Sequence, residues 1–402
     1  MKKFQKPFLV VSFIFLAAFQ FFKGVLPGWQ MRSDFPNYYL SSKLVVEHRT
    51  DSIYNDHWFS KELEANGFGS LGKFSPFPPP TAFIMLPFIA LEPLTAKRVW
   101  MVINIVFLFL TGFVIMKITG WKYLGCMNLL LLTGIGLAND LYLGQFYLSL
   151  LLIMLLAYHL SRSSPLFAGM LAGFGMAIKY FPAIMLPANL KNRRFIAGAI
   201  FSFVLLYAAA FMVFGKTVFG EFISSVLLPH LDGHIGMQSP WSPKFQSWNA
   251  LFSNLFLFDA VQNPHPVLNS LAVFNIFKLA VTIFFIVVSF LTYLVARKSY
   301  LQNELFLVLI SITVMELFPA SATYHFVLLV FPAVLLMKNY QATYVIILVC
   351  ILMTAIGFGS PLIDQFANGN LFLAFHRLWL MTLFYFGVIF ILLRQSRNPQ
   401  RR

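Results

Sequence analysis

Apolar positions run in long uninterrupted stretches along this chain and do not alternate with polar ones. The first covers residues 7–22, PFLVVSFIFLAAFQFF, behind Met1, Lys2 and Lys3. Others sit near 97–117, 123–138, 142–160, 165–190, 195–215, 271–296, 303–318, 324–337, 342–358 and 371–394. Such runs predict membrane-crossing helices, which take about 20 apolar residues each, whereas a membrane barrel alternates over strands of about 10. The 165–190 run holds Lys179 and Pro182 near its middle, which predicts two short helices that meet and return. The expected fold is a single all-α polytopic membrane domain over 1–402, with about 10–12 transmembrane helices.

Polar stretches divide the runs. Residues 28–80 form the longest and contain the cluster Pro76, Pro78, Pro79, Pro80. Residues 81–94, TAFIMLPFIALEPL, are apolar but too short to span and are interrupted by Pro87, so an interfacial or re-entrant helix is expected there. The long connections are 28–96 and 216–270, each expected to carry juxtamembrane helices, with shorter turns at 138–142, 319–323 and 359–370. No internal repeat is evident.

Composition narrows the class further. The chain is 59% hydrophobic and 11% charged, against roughly 45–50% and about 25% in soluble proteins. A soluble enzyme, a disordered chain and a disulfide scaffold are excluded. Cys126 and Cys350 lie within apolar runs and read as small core residues. The net charge of +15 suggests nucleic acid until it is mapped. Lys2, Lys3, Lys6, Lys117, Lys122, Arg162, Lys191, Arg193, Arg194, Arg297, Lys298, Lys338, Arg394, Arg397, Arg401 and Arg402 fall on one side of the expected topology, with Glu304 as the only acid. The whole excess is therefore positive-inside bias, so no nucleic-acid partner is expected, and both termini are expected in the cytoplasm. Phe21, Phe22 and Lys23 stand where a signal peptide would place small residues, which predicts an uncleaved first helix. The long connections then face outward, and chemistry is expected on that face of a bacterial plasma membrane.

Asp34 opens the first long connection in SDFPNYYL, close to the bilayer and flanked by Phe35, Tyr38 and Tyr39. A partly desolvated carboxylate there suits a general base, and the competing reading is a helix N-cap. Lys179, inside an apolar run, must pair or face a wet cavity, which makes it a candidate for an anionic headgroup; snorkelling to the interface is the alternative. Asp140 and Gln145 lie in ANDLYLGQ, where turn chemistry alone explains the aspartate. His325 follows FPASATY, and His376 and Arg377 open the last helix, where they offer phosphate contacts or simply anchor it. HExxH, paired cysteines, DxD and a phosphate-cradling glycine loop are all missing from the sequence, so no metal or nucleotide cofactor is expected.

These residues, taken in order, resemble glycosyltransferase family 87 of the GT-C class. The matches are Asp34-Phe35-Pro36-Asn37-Tyr38-Tyr39, Tyr54, Pro78-Pro79-Pro80 with Pro87, Trp100, Gly144-Gln145, AGMLAGFGMAIKYFP (168–182), Gln246-Ser247-Trp248-Asn249 and SATYHF (321–326). The resemblance implies a GT-C-like bundle and inverting transfer of a hexose, often mannose, from a polyprenyl-phosphate donor to a lipid or glycan acceptor at the outer face. It implies Asp34 as the base, and Lys179, His325 and Arg377 as donor-phosphate contacts. Tyr38, Tyr39, Asp140, Gln145, Gln246 and Asn249 would be substrate contacts, with Asp140 a second carboxylate candidate. Residues 230–248 match only at their end, so the acceptor stays open. A lipid-linked-sugar flippase or transporter would need polar residues along a route through the membrane. A surface-polysaccharide polymerase or ligase would need arginines in its late loop, and 216–270 has none.

Overall fold

The computed structural model describes residues 2–31, 34–69, 72–231, 239–296, 302–359 and 370–397 of the 402-residue chain. Most of the expected turn at 359–370, part of the 230–248 region, and Arg297, Lys298, Arg401 and Arg402 lie outside them. The described residues are helical, and an isolated bridge between Asp259 and Asn263 is the one extended pairing among them. The protein is thus an all-α polytopic membrane protein.

Among the described residues, five helices are long and apolar enough to cross a membrane: Lys6–Gly28, Pro93–Thr119, Arg193–His230, Leu271–Val295 and His376–Arg394. A sixth candidate is the pair Tyr123–Leu131 and Ile135–Leu143, bent by 79°. The other apolar runs form shorter helices, among them Tyr147–Leu160, Pro165–Ile178, Thr323–Asn339 and Thr343–Phe358. A 14-residue helix rises only about 21 Å at 1.5 Å per residue, short of the ~30 Å hydrocarbon core. Full spans are therefore mixed with shorter helices, and several apolar runs expected to cross do not reach that length.

The chain forms two compact units. The first comprises Met1–Lys117, Trp121–Met127 and Leu137–Met237. In its long polar connection, helix α1 (Phe35–Val46) and helix α2 (Asp56–Ala65) form, the latter capped by the Asn55 side chain on the Trp58 amide at 3.0 Å. The expected helix over 81–94 is instead two 3-10 turns, Pro79–Phe83 and Leu86–Phe88, because Pro79, Pro80 and Pro87 carry no amide hydrogen for an α-helical ladder. The Ser42 hydroxyl holds the Ala82 carbonyl at 2.6 Å, and the Thr81 hydroxyl holds that of Ile178 at 2.9 Å. Phe35, Tyr38, Phe59 and Phe74 pack in one buried cluster with Phe214, Val218 and Phe222. That cluster explains why the helix expected to end near 215 continues to His230, kinked at Gly215: Val218 and Phe222 have a core to enter.

Helix α3 (Pro165–Ile178) is locked against the long helix Arg193–His230 by near-contact of backbones. A Cβ on Gly169 would lie 1.9 Å from the Phe195 carbonyl oxygen, and one on Gly173 2.2 Å from that of Ala199. This small-residue seam is the usual way apolar helices pack closely in lipid. Helix α3 ends at Ile178, after which Lys179 adopts extended backbone (φ −150, ψ 139) and Phe181–Ile184 turns in 3-10 form. The predicted break at Lys179 and Pro182 is where the helix ends.

The second unit comprises Ile118–Gly120, Asn128–Gly136 and Gln238–Arg402. In it the Ser289 hydroxyl bridges Thr313 at 2.7 Å and Tyr385 at 2.8 Å, linking three helices, and Lys338 pairs with Glu304 at 3.0 Å. The helix Trp248–Phe256 forms within the second long connection, capped by Ser247 on the Ala250 amide at 3.2 Å.

Candidate active site

Asp34 occupies the N-cap position of α1, yet its carboxylate makes no capping bond to that helix. Its Oδ2 instead accepts a hydrogen bond from Gln145 Nε2 at 2.8 Å, 111 residues away in sequence. The N-cap reading therefore describes the position of Asp34 and leaves its carboxylate unexplained. Pro36, the second residue of α1, has a fixed φ and no amide N–H, so the helix needs one acceptor fewer at that end.

Gln145 is 2% exposed, and its side-chain oxygen accepts from both the Tyr38 hydroxyl at 2.6 Å and the Lys179 ammonium at 3.1 Å. Tyr38 is buried, stacked on Phe77 and edge-on to Phe146, with ring centroids 4.8 Å away in both cases. Lys179 is 6% exposed, and its ammonium lies 4.1, 4.8 and 5.9 Å from the ring centroids of Tyr147, Phe77 and Tyr38. Ring faces attract a desolvated cation by about 2 kcal/mol. The ammonium carries three N–H groups, and Gln145 takes one in the only Lys179 side-chain hydrogen bond among the described residues.

Asp140 lies at the end of the helix Ile135–Leu143, so the turn falls at residues 144–146 and not at the expected 138–142. Fully buried, its carboxylate accepts from the Tyr147 and Leu148 amides at 2.9 and 3.3 Å and so caps the helix Tyr147–Leu160. The turn residue Gly144 has φ +73, where a side chain is strained, and a Cβ there would lie 2.7 Å from Lys97 Nζ. Lys97, fully buried, donates to the Tyr142 carbonyl at 3.2 Å and sits over the Phe35 ring at 5.5 Å. Asp34 and Asp140 both act electrostatically on Lys97 and on Lys179, which gives the centre two acids and two lysines. Lys97 was not legible as a site residue, since a lysine at the edge of an apolar run reads as an ordinary flank.

The remaining expected residues are placed as follows. Tyr39 is buried and donates to the Leu91 carbonyl at 2.9 Å; burial and the Glu92 carboxylate push its hydroxyl pKa up, so it stays a neutral donor. In the second unit, Gln246 Oε1 accepts from the Arg377 and Leu378 amides at 3.1 and 3.2 Å, capping the last helix, while its nitrogen reaches the Ala374 carbonyl at 2.8 Å. Arg377 Nε donates to the Ile356 carbonyl at 3.1 Å. His325 Nδ1 accepts from the Ala322 amide at 3.1 Å and meets the Phe318 and Tyr324 rings edge-on. Asn249 is buried in the helix Trp248–Phe256. The first unit thus brings Asp34, Tyr38, Asp140, Gln145 and Lys179 into one network, and His325, Arg377, Gln246 and Asn249 lie in the second.

The family model of glycosyltransferase family 87 matches residues 76–319, more than half of the chain. The chain belongs to glycosyltransferase family 87. It is accordingly a membrane glycosyltransferase, which takes a sugar donor and an acceptor. No curated protein matches this family 87 enzyme, and no solved structure does. The matched region holds Lys97, Asp140, Gln145, Lys179, Gln246 and Asn249 of the glycosyltransferase, while Asp34, Tyr38, Tyr39, His325 and Arg377 lie outside it.

Proposed function

We propose that this glycosyltransferase moves a hexose, mannose by family resemblance, from a polyprenyl-phosphate donor to an acceptor hydroxyl at the outer membrane face, with inversion. The observation that carries the proposal is one amide, Gln145, bonded at one end to the half-buried Asp34 carboxylate and at the other to Lys179. A carboxylate offers about four lone-pair sites on two oxygens, so engaging Gln145 through Oδ2 is compatible with taking an acceptor proton. An ammonium with N–H groups to spare, in an aromatic surround of low polarity, meets developing phosphate charge strongly.

In this reading Asp34 takes the proton from the acceptor hydroxyl as that oxygen bonds to the anomeric carbon. The bond from that carbon to the phosphate oxygen breaks, and its electron pair leaves with the polyprenyl phosphate, whose charge Lys179 stabilises. Tyr38 and Tyr39 are candidates for shaping the sugar site. The basic flanks of the apolar helices support an outward-facing site in a bacterial plasma membrane.

The test is transfer by purified protein in detergent, from radiolabelled polyprenyl-phosphate mannose or glucose to a lipid extract, with the anomeric configuration of the product read by NMR. The proposal expects transfer with inversion from one of the two donors. A retained configuration, or failure of both lipids to bind, overturns it.

A further inference from the structure

The hydrogen-bond inventory of Gln145 leaves little for a sugar. A glutamine amide offers two acceptor lone pairs and two N–H donors. Both lone pairs are taken, by Tyr38 at 2.6 Å and Lys179 at 3.1 Å, and one N–H goes to Asp34 at 2.8 Å. Only one N–H remains, on a side chain that is 2% exposed. The backbone is equally held: the Gln145 amide donates to the Asp140 carbonyl at 2.9 Å, and the Gly144 carbonyl accepts from the Trp100 indole at 3.1 Å.

The direction of the amide follows from its neighbours. An ammonium can only donate, so the amide oxygen must face Lys179, and the nitrogen is then obliged to face Asp34. Reversing the amide would set an N–H against an ammonium and a carbonyl oxygen against a carboxylate. Both contacts are repulsive. Lys179 and Asp34 therefore demand the same amide orientation, and Gln145 bridges the cation to the carboxylate.

We infer that Gln145 is a positioning residue that links Lys179 to Asp34 and helps to aim the carboxylate, and that it is not a sugar contact. The inference rests on Asp34 acting as the base.

The test compares wild type with Gln145→Glu and Gln145→Met in the transfer assay, reading kcat, KM for the donor and the pH–rate profile. The Gln145→Glu carboxylate still accepts from Tyr38 and Lys179, which preserves the packing, but it presents a negative oxygen to Asp34. Two facing carboxylates disfavour ionisation of one of them, so the acidic limb of the profile should move up by about one pH unit, with kcat reduced and KM within about threefold. Gln145→Met should lower kcat about tenfold or more, without a comparable rise in KM, because the carboxylate loses its aim. A rise in KM with an unmoved acidic limb would make Gln145 a substrate contact and overturn the inference while leaving Asp34 as base. Full activity of Asp34→Asn would overturn the inference together with the reading beneath it.

Discussion

Replacement of Lys179 by methionine separates stability from catalysis. The substitution removes one charge-assisted hydrogen bond, to Gln145 at 3.1 Å, worth about 1.5–3 kcal/mol. It also removes the cation from the faces of Tyr147, Phe77 and Tyr38, about 2 kcal/mol in a desolvated setting. Against these losses stands the penalty of burying the ammonium, several kcal/mol per ion, which methionine does not incur. Methionine also keeps the volume and makes favourable sulfur contacts with the same rings. Asp140 retains its two amide donors and Lys97. The opposing contributions nearly cancel, so the variant should lose at most about 2 kcal/mol of stability. Catalysis has no such offset. Loss of one preorganised group facing developing charge typically lowers kcat by about 10²–10³. Thermal unfolding in detergent followed by tryptophan fluorescence gives the first quantity, and sugar transfer gives the second. A variant that keeps transfer within threefold of wild type would refute the assignment of Lys179 to the departing phosphate. Lys179→Gln refines the result, because its amide can still donate to Gln145 without carrying charge. Restored transfer in that variant would show that the lysine acts only through Gln145.

Two further substitutions probe how the centre is held. Gly144→Ala should destabilise the protein by about 1–2 kcal/mol from backbone strain alone, with more lost as the new Cβ displaces Lys97 from 2.7 Å; unchanged melting and transfer would contradict the close approach. Asp140→Ala removes two bonds to the first amides of the helix Tyr147–Leu160 and should cost about 1–2 kcal/mol, as lost caps do. In a melting experiment paired with transfer per folded molecule, Asp140→Ala should lower the melting temperature far more than it lowers turnover.

The sequence made the helical membrane class legible because runs such as 7–22 and 271–296 admit no other reading. It also marked Asp34 and Lys179 singly, each as a charged residue where a charge is costly, and Gln145 through the family resemblance of Gly144-Gln145. Their union was not legible. The bond from Gln145 to Asp34 spans 111 residues and that from Lys179 to Gln145 spans 34, and no local pattern encodes which atom of an amide faces which partner. Lys97 was invisible for a related reason: its role depends on the carbonyls of Leu141 and Tyr142 at the far end of another helix. The helix boundaries that moved did so where tertiary burial outweighed local signals. Past Gly215, Val218 and Phe222 find a core made by Phe35, Tyr38 and Phe74, and the helix continues. At 81–94 the prolines prevail over the apolar pattern, leaving 3-10 turns.

The central claim is that Asp34 takes the acceptor proton, and Asp34→Asn tests it most directly. An asparagine oxygen can still accept from Gln145 Nε2, now at 2.8 Å from the carboxylate, so the fold should be preserved while the proton acceptor is lost. Transfer from polyprenyl-phosphate mannose should fall by about 10²–10⁴ with donor binding and melting temperature unchanged. Wild-type turnover in a folded Asp34→Asn protein would contradict the account and move the search for the base to Asp140 or His325.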